Sequence, residues 1–571
     1  MYSAIPSAHI VTSALKHFGV TQVVISPGSR NAPLIMNIVA DESFKAFSVV
    51  DERSAAFFAI GRAQATKQAV ALLCTSGSAL LNYYPAIAEA YYSEIPLLVL
   101  SADRPPEMVD IGDGQTIRQP NVFASLLGNS FTLSLDRRVI KQASDFDPSM
   151  PVNAENVGIL IRALSRLQSK RIPVHINIPF EEPLYHQIDA PVGLINWRPY
   201  PTDIASDSKE ESAIDGRAVQ QLTSVKVMLL IGVWDPSEVE KDQLRTLIQR
   251  TQALVLTETL SNTSGLDCVD SIDTLIAPLE SHDQGKVLLE KLKPNVILTI
   301  GGMVVSKKIK ALLRSINGLQ HIHLGNTAAL NTYGCLNGHY DLGDFSQASV
   351  NLFNNDTTYA KFWMDYYHHL VSKRANFISA APFSDFKAFS QALEAIPEAY
   401  ELHISNSSAI RYAQFFYTPA KKQWCNRGTS GIEGSASTAV GYSSVEMHEK
   451  TVLLTGDLSF FYDTNAYWNA YVPSSFRIIV INNSGGGIFR ILPNAKNTKG
   501  FETYLETRHD KKAEEIAKHF DFEYLSVADI DSLAQALGSF FEEGKRPKLL
   551  EVFTPSNENE EVLFDYFKSL K

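Results

Sequence analysis

The sequence predicts an α/β protein whose parallel strands fall into three separate sheets. Short β-branched or Leu-rich runs alternate with amphipathic stretches of helical length, the pattern that buries parallel strands beneath crossover helices. A chain of 571 residues is several times the usual domain size, so the alternation has to be divided. Two composition breaks divide it, and each of the three blocks they separate holds enough strand-like runs for a sheet of its own.

In the first block, strands are expected at residues 22–26, 47–51, 70–75, 97–101 and 174–178. Their apolar runs suit strands covered on both faces. Helices are expected between them at 53–67 and 79–92. Residues 180–212 carry Pro183, Pro191, Pro199 and Pro201 and then a polar acidic run, which reads as a linker wrapping over a surface. This sets a first domain at 1–182 and a linker at 183–212. The middle block, 213–345, has strand-like runs at 227–231, 253–257, 296–300 and 321–324. A second break, 346–384, includes a stretch of helical character near 359–371. The last block, 385–571, has strand-like runs at 401–404, 451–455, 477–481 and 549–553.

Composition narrows the function. Hydrophobic residues make up 45% and charged residues 20%, which excludes a largely disordered chain. The net charge of −11 argues against a broad phosphate-backbone footprint, so no nucleic-acid partner is expected, and any anionic ligand needs a local basic site. Cys74, Cys268, Cys335 and Cys425 show no CxxC or metal-finger spacing, as for reduced thiols in a cytoplasmic protein. Residues 1–20 lack the basic-then-apolar order of a signal peptide, and the longest apolar runs fall short of the roughly 20 residues that span a bilayer, so no membrane association is expected.

The strongest chemical signal lies in the last block. Gly456 and Asp457 follow one strand-like run, and Asn482 and Asn483 close another, which places an acid and an amide at the carboxyl ends of two parallel strands. Ligands collect there in open α/β sheets. A carboxylate, an amide oxygen and a carbonyl from Gly485-Gly486-Gly487 can supply three oxygen ligands to Mg²⁺, and the glycines admit a diphosphate closely. The same residues also make ordinary strand-end turns. Glu52, at the end of an expected strand among apolar neighbours, is a candidate buried acid, and equally suits a helix N-terminal acid held by the macrodipole.

Gly456-Asp457-Leu458, followed after 24 intervening residues by Asn483, resembles the diphosphate-anchoring motif of thiamine diphosphate enzymes, with Leu458 in place of the usual glycine. The resemblance narrows with Ser26-Pro27-Gly28-Ser29-Arg30-Asn31-Ala32-Pro33, Ser101-Ala102-Asp103-Arg104-Pro105 and Gly114-Gln115-Thr116-Ile117-Arg118-Gln119. It continues in Asn426-Arg427-Gly428-Thr429-Ser430-Gly431-Ile432-Glu433-Gly434 and in Gly456-Asp457-Leu458-Ser459. These resemble the MenD family of menaquinone-pathway enzymes, in which Leu458 is the expected residue, and the similarity runs from about residue 7 to the final strand.

The resemblance implies three α/β domains of the thiamine diphosphate-binding enzyme type: a pyrimidine-binding amino-terminal domain, a central domain and a diphosphate-binding carboxy-terminal domain. It implies decarboxylation of 2-oxoglutarate and conjugate addition of the succinyl unit to isochorismate. Glu52 would be the activating acid. Asp457, Asn483 and the Gly485 carbonyl would hold Mg²⁺ or Mn²⁺. Ile432, Gly456, Leu458, Ser459, Gly486, Ile488 and Phe489 would complete the cofactor site, with Ile432 pressing the cofactor into a bent shape. Ser407, Arg411 and Arg427 would receive the succinyl carboxylate, while Ser29, Arg30, Arg104, Gln115, Lys307 and Lys308 would face isochorismate. Arginine forks suit carboxylates because two parallel donors match two oxygens. Taken singly, each arginine also suits an interdomain salt bridge. Glu52 and Asp457 would come from different subunits of a homodimer or homotetramer.

Another thiamine diphosphate-dependent 2-oxo acid decarboxylase, or an acetolactate-type carboligase, would share Glu52 and the metal pair. The absence of His from residues 104–119 favours carboligation over simple protonation. His368-His369 reads as a solvated or packing pair, and Gly301-Gly302 is too short for a dinucleotide fingerprint.

Overall fold

The computed structural model describes residues 1–193, 195, 197, 225–348, 356–492 and 494–571. The end of the first expected linker, the start of the central block at 213 and part of the second linker lie outside the described residues. Three parallel sheets of six, five and six strands form, as the alternation predicts, beside a two-stranded antiparallel pair of Tyr2–Ser3 with Gln187–Ile188. That pair returns the segment after Pro183 across the surface of the first domain.

The amino-terminal sheet runs, edge to edge, Lys45–Ser48, Gln22–Ile25, Val70–Cys74, Leu97–Asp103, Val174–Pro179 and Phe131–Thr132. The carboxy-terminal sheet runs Gln423–Trp424, Glu401–Ile404, Thr451–Gly456, Arg477–Asn482, Lys548–Phe553 and Glu523–Val527. Numbered by appearance within each sheet, both have the order 2-1-3-4-6-5. The central sheet is Leu254–Leu256, Val227–Ile231, Val296–Ile300, Gln320–Leu324 and Leu336–Tyr340. Strand-like interiors such as Val70–Cys74 and Arg477–Asn482 are buried throughout, as strands covered by helices on both faces must be.

Several boundaries differ from expectation. The strand expected at 47–51 is Lys45–Ser48, because Asp51 caps the next helix by accepting the Ser54 N–H, and the chain has to turn before it. That helix is Glu52–Thr66 and ends at Lys67 in the left-handed region. The helix expected at 79–92 is two, Ser78–Asn82 and Tyr84–Tyr92; Pro85 lacks the N–H a continuous helix needs and opens the second. The strand expected at 253–257 shortens to Leu254–Leu256. The helix foreseen near 359–371 extends over Thr357–Ala380 and buries Tyr359, Trp363, Tyr367 and Leu370 along one stripe.

The cores join the domains. One apolar cluster includes Met228 and Leu275 of the central domain with Trp363, Phe386 and Tyr566. A second combines Phe57 and Phe58 of helix Glu52–Thr66 with Ala436 and Val440 of helix Ser435–Ser443. These two helices touch backbone to backbone: a Cβ on Gly61 would lie 2.0 Å from the Thr438 carbonyl oxygen, and one on Gly441 2.0 Å from that of Phe58. All four cysteines are free thiols, and among the described residues no helix is long and apolar enough to cross a membrane.

Candidate active site

Strands Glu401–Ile404 and Thr451–Gly456 are neighbours, and the chain winds away from them in opposite directions. Such a switch point leaves a crevice at the carboxyl ends of the strands. A cavity of about 190 Å³ lies there, lined by Ser407, Ile432, Gly456, Asp457, Leu458, Ser459, Asn483, Gly485, Gly486, Ile488 and Phe489, and by Phe389, Asn406, Ser408, Ala409, Ile481 and Gly487. The cofactor and metal residues expected from the carboxy-terminal motifs therefore share one wall.

Strand Thr451–Gly456 passes directly into helix Asp457–Tyr462, which puts the Asp457 carboxylate on the first turn. Asp457 is buried; its Oδ1 accepts the Leu458 N–H at 2.6 Å and its Oδ2 the Gly485 N–H at 2.9 Å. The two adjacent asparagines divide their work. Asn482 donates to the Lys511 carbonyl and to Glu551, and accepts the Ser484 N–H. Asn483 donates through Nδ2 to Asp385 at 2.7 Å, and its Oδ1 is buried without a hydrogen-bond partner. Burial pushes the Asp385 carboxyl up to about 6, against the hydrogen bonds from Thr554 and Asn483. Gly485 has φ +147°, and a Cβ there would meet the Glu506 carbonyl oxygen at 2.8 Å, so only glycine fits.

An orphaned buried acceptor next to a buried carboxylate is the donor set a hard oxygen-seeking cation requires. The Gly485 carbonyl accepts the Gly487 N–H at 2.9 Å and keeps a second lone pair. The residues present thus fit a divalent cation with diphosphate.

Of the expected 2-oxo acid residues Ser407 lines this wall, while Arg411 and Arg427 do not line the cavity and are joined to it through Ser407 and Asn406. Ser407 sits at φ +69°, a left-handed conformation costly for a residue with a Cβ, and precedes helix Ser408–Ala413. Arg411 donates to the Ser407 carbonyl at 2.6 Å. Arg427 donates to Asn406 Oδ1 at 2.7 Å, and its Nε is buried without a partner. Burial and then the Arg427 charge lower the Arg411 pKa, with Asp273 opposing. The Arg411 guanidinium stays charged all the same, because arginine does not deprotonate in proteins.

Glu52 does not line the cavity; it opens helix Glu52–Thr66 in the first domain. Its neighbours tie that end to the segment after helix Asp457–Tyr462: Asn465 donates to Asp51 at 2.6 Å and Arg53 to the Tyr462 carbonyl at 2.9 Å. Burial, then the Asp51 charge, raise the Glu52 carboxyl above its ordinary value.

The expected isochorismate residues split between two domains. Arg30 is buried, donates to the Phe180 carbonyl and to Glu182, and is lowered first by burial and then by the Arg104 charge. Arg104 pairs with Asp113 at 2.9 Å and leaves Nε unpartnered. Ser29 bonds Tyr185 at 2.9 Å, and Gln115 is exposed at φ +58°. Lys307 and Lys308 open helix Lys307–Arg314, where Lys307 is exposed and Lys308 is ion-paired with Glu280. His368 is solvated beside Asp267.

Sequence reasoning missed Asp385, Asn406, Glu89 and Glu258. Glu258 accepts the Val305 and Ser306 N–H groups at 2.6 and 2.7 Å, just ahead of the lysine pair, and burial pushes it up to about 7. An acid within an apolar helix, as in the Ala88-Glu89-Ala90 stretch, was the one readable signal.

Comparison with known proteins agrees with this geometry. Residues 7–123 match the thiamine pyrophosphate enzyme N-terminal TPP binding domain, and residues 406–552 the thiamine pyrophosphate enzyme C-terminal TPP binding domain. The chain is 43% identical to the 2-succinyl-5-enolpyruvyl-6-hydroxy-3-cyclohexene-1-carboxylate synthase of Christiangramia forsetii, with all of both chains covered. It is 41% identical to the protein of that name from Flavobacterium psychrophilum, again over the whole of both chains. To that from Porphyromonas gingivalis it is 34% identical over 99% of this chain and 97% of the other. With two thiamine pyrophosphate-binding domains and similarity over its full length, this chain belongs to the 2-succinyl-5-enolpyruvyl-6-hydroxy-3-cyclohexene-1-carboxylate synthase family of thiamine diphosphate-dependent enzymes.

Proposed function

We propose that this protein catalyses the decarboxylation of 2-oxoglutarate and the conjugate addition of the succinyl unit to isochorismate, releasing CO₂ and forming 2-succinyl-5-enolpyruvyl-6-hydroxy-3-cyclohexene-1-carboxylate in menaquinone biosynthesis. The observation that carries this reading is the pair of half-buried guanidiniums, Arg411 and Arg427, hydrogen-bonded to Ser407 and Asn406 of the cavity that already holds the expected cofactor wall. Two neighbouring half-buried cations, Arg427 with a buried Nε that has no partner, call for a ligand with a carboxylate beyond its reacting end, and 2-oxoglutarate has one. Pyruvate lacks it, which separates this reading from an acetolactate-type carboligase.

Thiamine diphosphate, when bound, supplies the electron sink for the decarboxylated carbon. Asp457, Asn483 Oδ1 and the Gly485 carbonyl would hold Mg²⁺, and Mn²⁺ suits the same oxygen donors. Asp385 orients Asn483 so that its oxygen, not its nitrogen, stays free. Ser459 donates to the Ile432 carbonyl at 2.6 Å and steadies the side chain expected to press on the cofactor. Gly456, Leu458, Gly486, Ile488 and Phe489 would exclude water from the same wall. Glu52, its carboxyl raised by burial, would hold a proton against the aminopyrimidine ring. Ser407, Arg411 and Arg427 would bind the distal carboxylate. Ser29, Arg30, Arg104, Gln115 and the lysine pair would bind isochorismate, Lys307 as a point charge, since Lys308 is engaged by Glu280.

Residues 1–182 serve in this reading as the pyrimidine-binding domain and 385–571 as the diphosphate-binding domain. No described residue of the amino-terminal sheet lines the cavity. That supports a homodimer or homotetramer in which Glu52 of one copy serves the cavity of another. The test is incubation with 2-oxoglutarate, isochorismate, thiamine diphosphate and Mg²⁺, omitting one at a time. Turnover only with all four is expected; equal CO₂ release without isochorismate would favour a simple decarboxylase.

A further inference from the structure

We propose that Glu89 is a positioning residue for this reaction, acting through Arg427; the inference rests on the assignment of Arg427 to the 2-oxoglutarate carboxylate. Glu89 lies on helix Tyr84–Tyr92 of the first domain, is 1% exposed, and has the buried Ala86, Ile87 and Ala90 beside it. An ionised carboxylate in such surroundings is costly unless its oxygens are fully hydrogen-bonded. They are. Oε1 accepts the Gly428 N–H at 2.8 Å and the Ser93 hydroxyl at 2.8 Å. Oε2 accepts the Thr429 N–H at 2.7 Å and the Thr429 hydroxyl at 2.9 Å.

Three of these four donors belong to the loop directly after Arg427, in the carboxy-terminal domain. That loop lies flat on the helix: a Cβ on Gly428 would come within 2.5 Å of the Glu89 carbonyl oxygen. From its other side the loop is held by Asn406, which donates to the Asn426 and Gly431 carbonyls at 2.7 Å each and accepts from Arg427. The Arg427 side chain is thus aimed by Asn406, and its backbone is fixed by a carboxylate from another domain. A carboxylate suits the task because it accepts at both oxygens, whereas the NH₂ of a glutamine would face N–H and O–H donors. Ile432, further along the loop, is tied separately through its carbonyl to Ser459, so the clamp bears on Arg427 more than on the cofactor wall.

The test is a double-mutant cycle on the full-length protein with E89Q, R427Q and both together. E89Q is expected to raise KM for 2-oxoglutarate about tenfold, as loss of a charge-assisted hydrogen bond does, with KM for isochorismate and thiamine diphosphate affinity each within about twofold. In the R427Q background E89Q adds less than about twofold, since its effect runs through the missing side chain. Unchanged KM, equal rises for both substrates, or multiplicative effects in the double variant would overturn the proposal. If E89Q does not fold, Thr429→Val removes only the hydroxyl arm of the clamp. A rise of about threefold in the same KM, absent in the R427Q background, is then expected, and no rise overturns it. A wild-type protein that does not consume 2-oxoglutarate refutes the proposed function and this inference with it. An active wild type with an unaltered E89Q refutes this inference alone.

Discussion

Glu52 and Asp457 are both acids on the first turn of a helix, and what separates their proposed roles is what surrounds each carboxyl group. Asp457 accepts two backbone N–H groups and lines the same cavity as the unpartnered Asn483 oxygen, an oxygen set that suits a cation. Replacing it with alanine is expected to abolish the Mg²⁺ dependence of thiamine diphosphate binding, and calorimetry with and without the metal checks this; undiminished affinity would put the metal elsewhere. Glu52 has no such donors from the loops around it and is raised by burial. Glu52→Gln should still bind the cofactor, because an amide can hydrogen-bond the ring, while kcat falls by about 10²-fold or more, as for loss of a proton-transferring group. Wild-type turnover in that variant would remove the assignment. At this scale the motif spacing points to Asn483 rather than Asn482, and the structure supplies a physical difference between them: Asn482 is engaged by Glu551 and Ser484, while Asn483, held by Asp385, keeps its oxygen free.

Strands were the most readable elements, because a run such as Arg477–Asn482, buried on both faces, leaves an apolar signature with little ambiguity. Edge strands such as Leu336–Tyr340 and Glu523–Val527 went unseen, since partly exposed strands carry polar residues that blur it. The short helix Ser408–Ala413 sets Arg411 about one turn on from Ser407. The structure adds that Ser407 precedes it in a left-handed conformation and that Arg411 reaches back to the Ser407 carbonyl. This arrangement ties Arg411, which does not itself line the cavity, to Ser407, which does. Arg411→Ala is accordingly expected to raise KM for 2-oxoglutarate by about 10-fold to 100-fold, with a smaller change for isochorismate. Steady-state kinetics with each substrate varied in turn decides the matter, and equal changes would undo the assignment of the two substrates to different residues.

Across the whole molecule, the shared 2-1-3-4-6-5 strand order makes the two outer sheets topological copies. Helices Glu52–Thr66 and Ser435–Ser443, which follow the second strand to appear in each, meet each other face to face. This contact admits no side chain at Gly61 or Gly441. A methyl group at Gly441 has to push against the Phe58 carbonyl, and overpacking of this kind costs about 1–3 kcal/mol, more than the helix gains from alanine. Gly441→Ala is therefore expected to lower the thermal midpoint, and an unchanged midpoint would mean the helices are not in such close contact in solution.

From the sequence by itself came the class of fold, the three sheets, the motifs that carry the chemistry and the family, because each is encoded in local periodicity or in short runs of neighbouring residues. The tertiary structure decided the strand order that the two outer sheets share, the nearness of Arg411 to Arg427, and the Glu89 clamp. The strand order and the clamp join residues far apart in the chain, and in all three cases the burial, charge and hydrogen bonding exist only once the chain has folded.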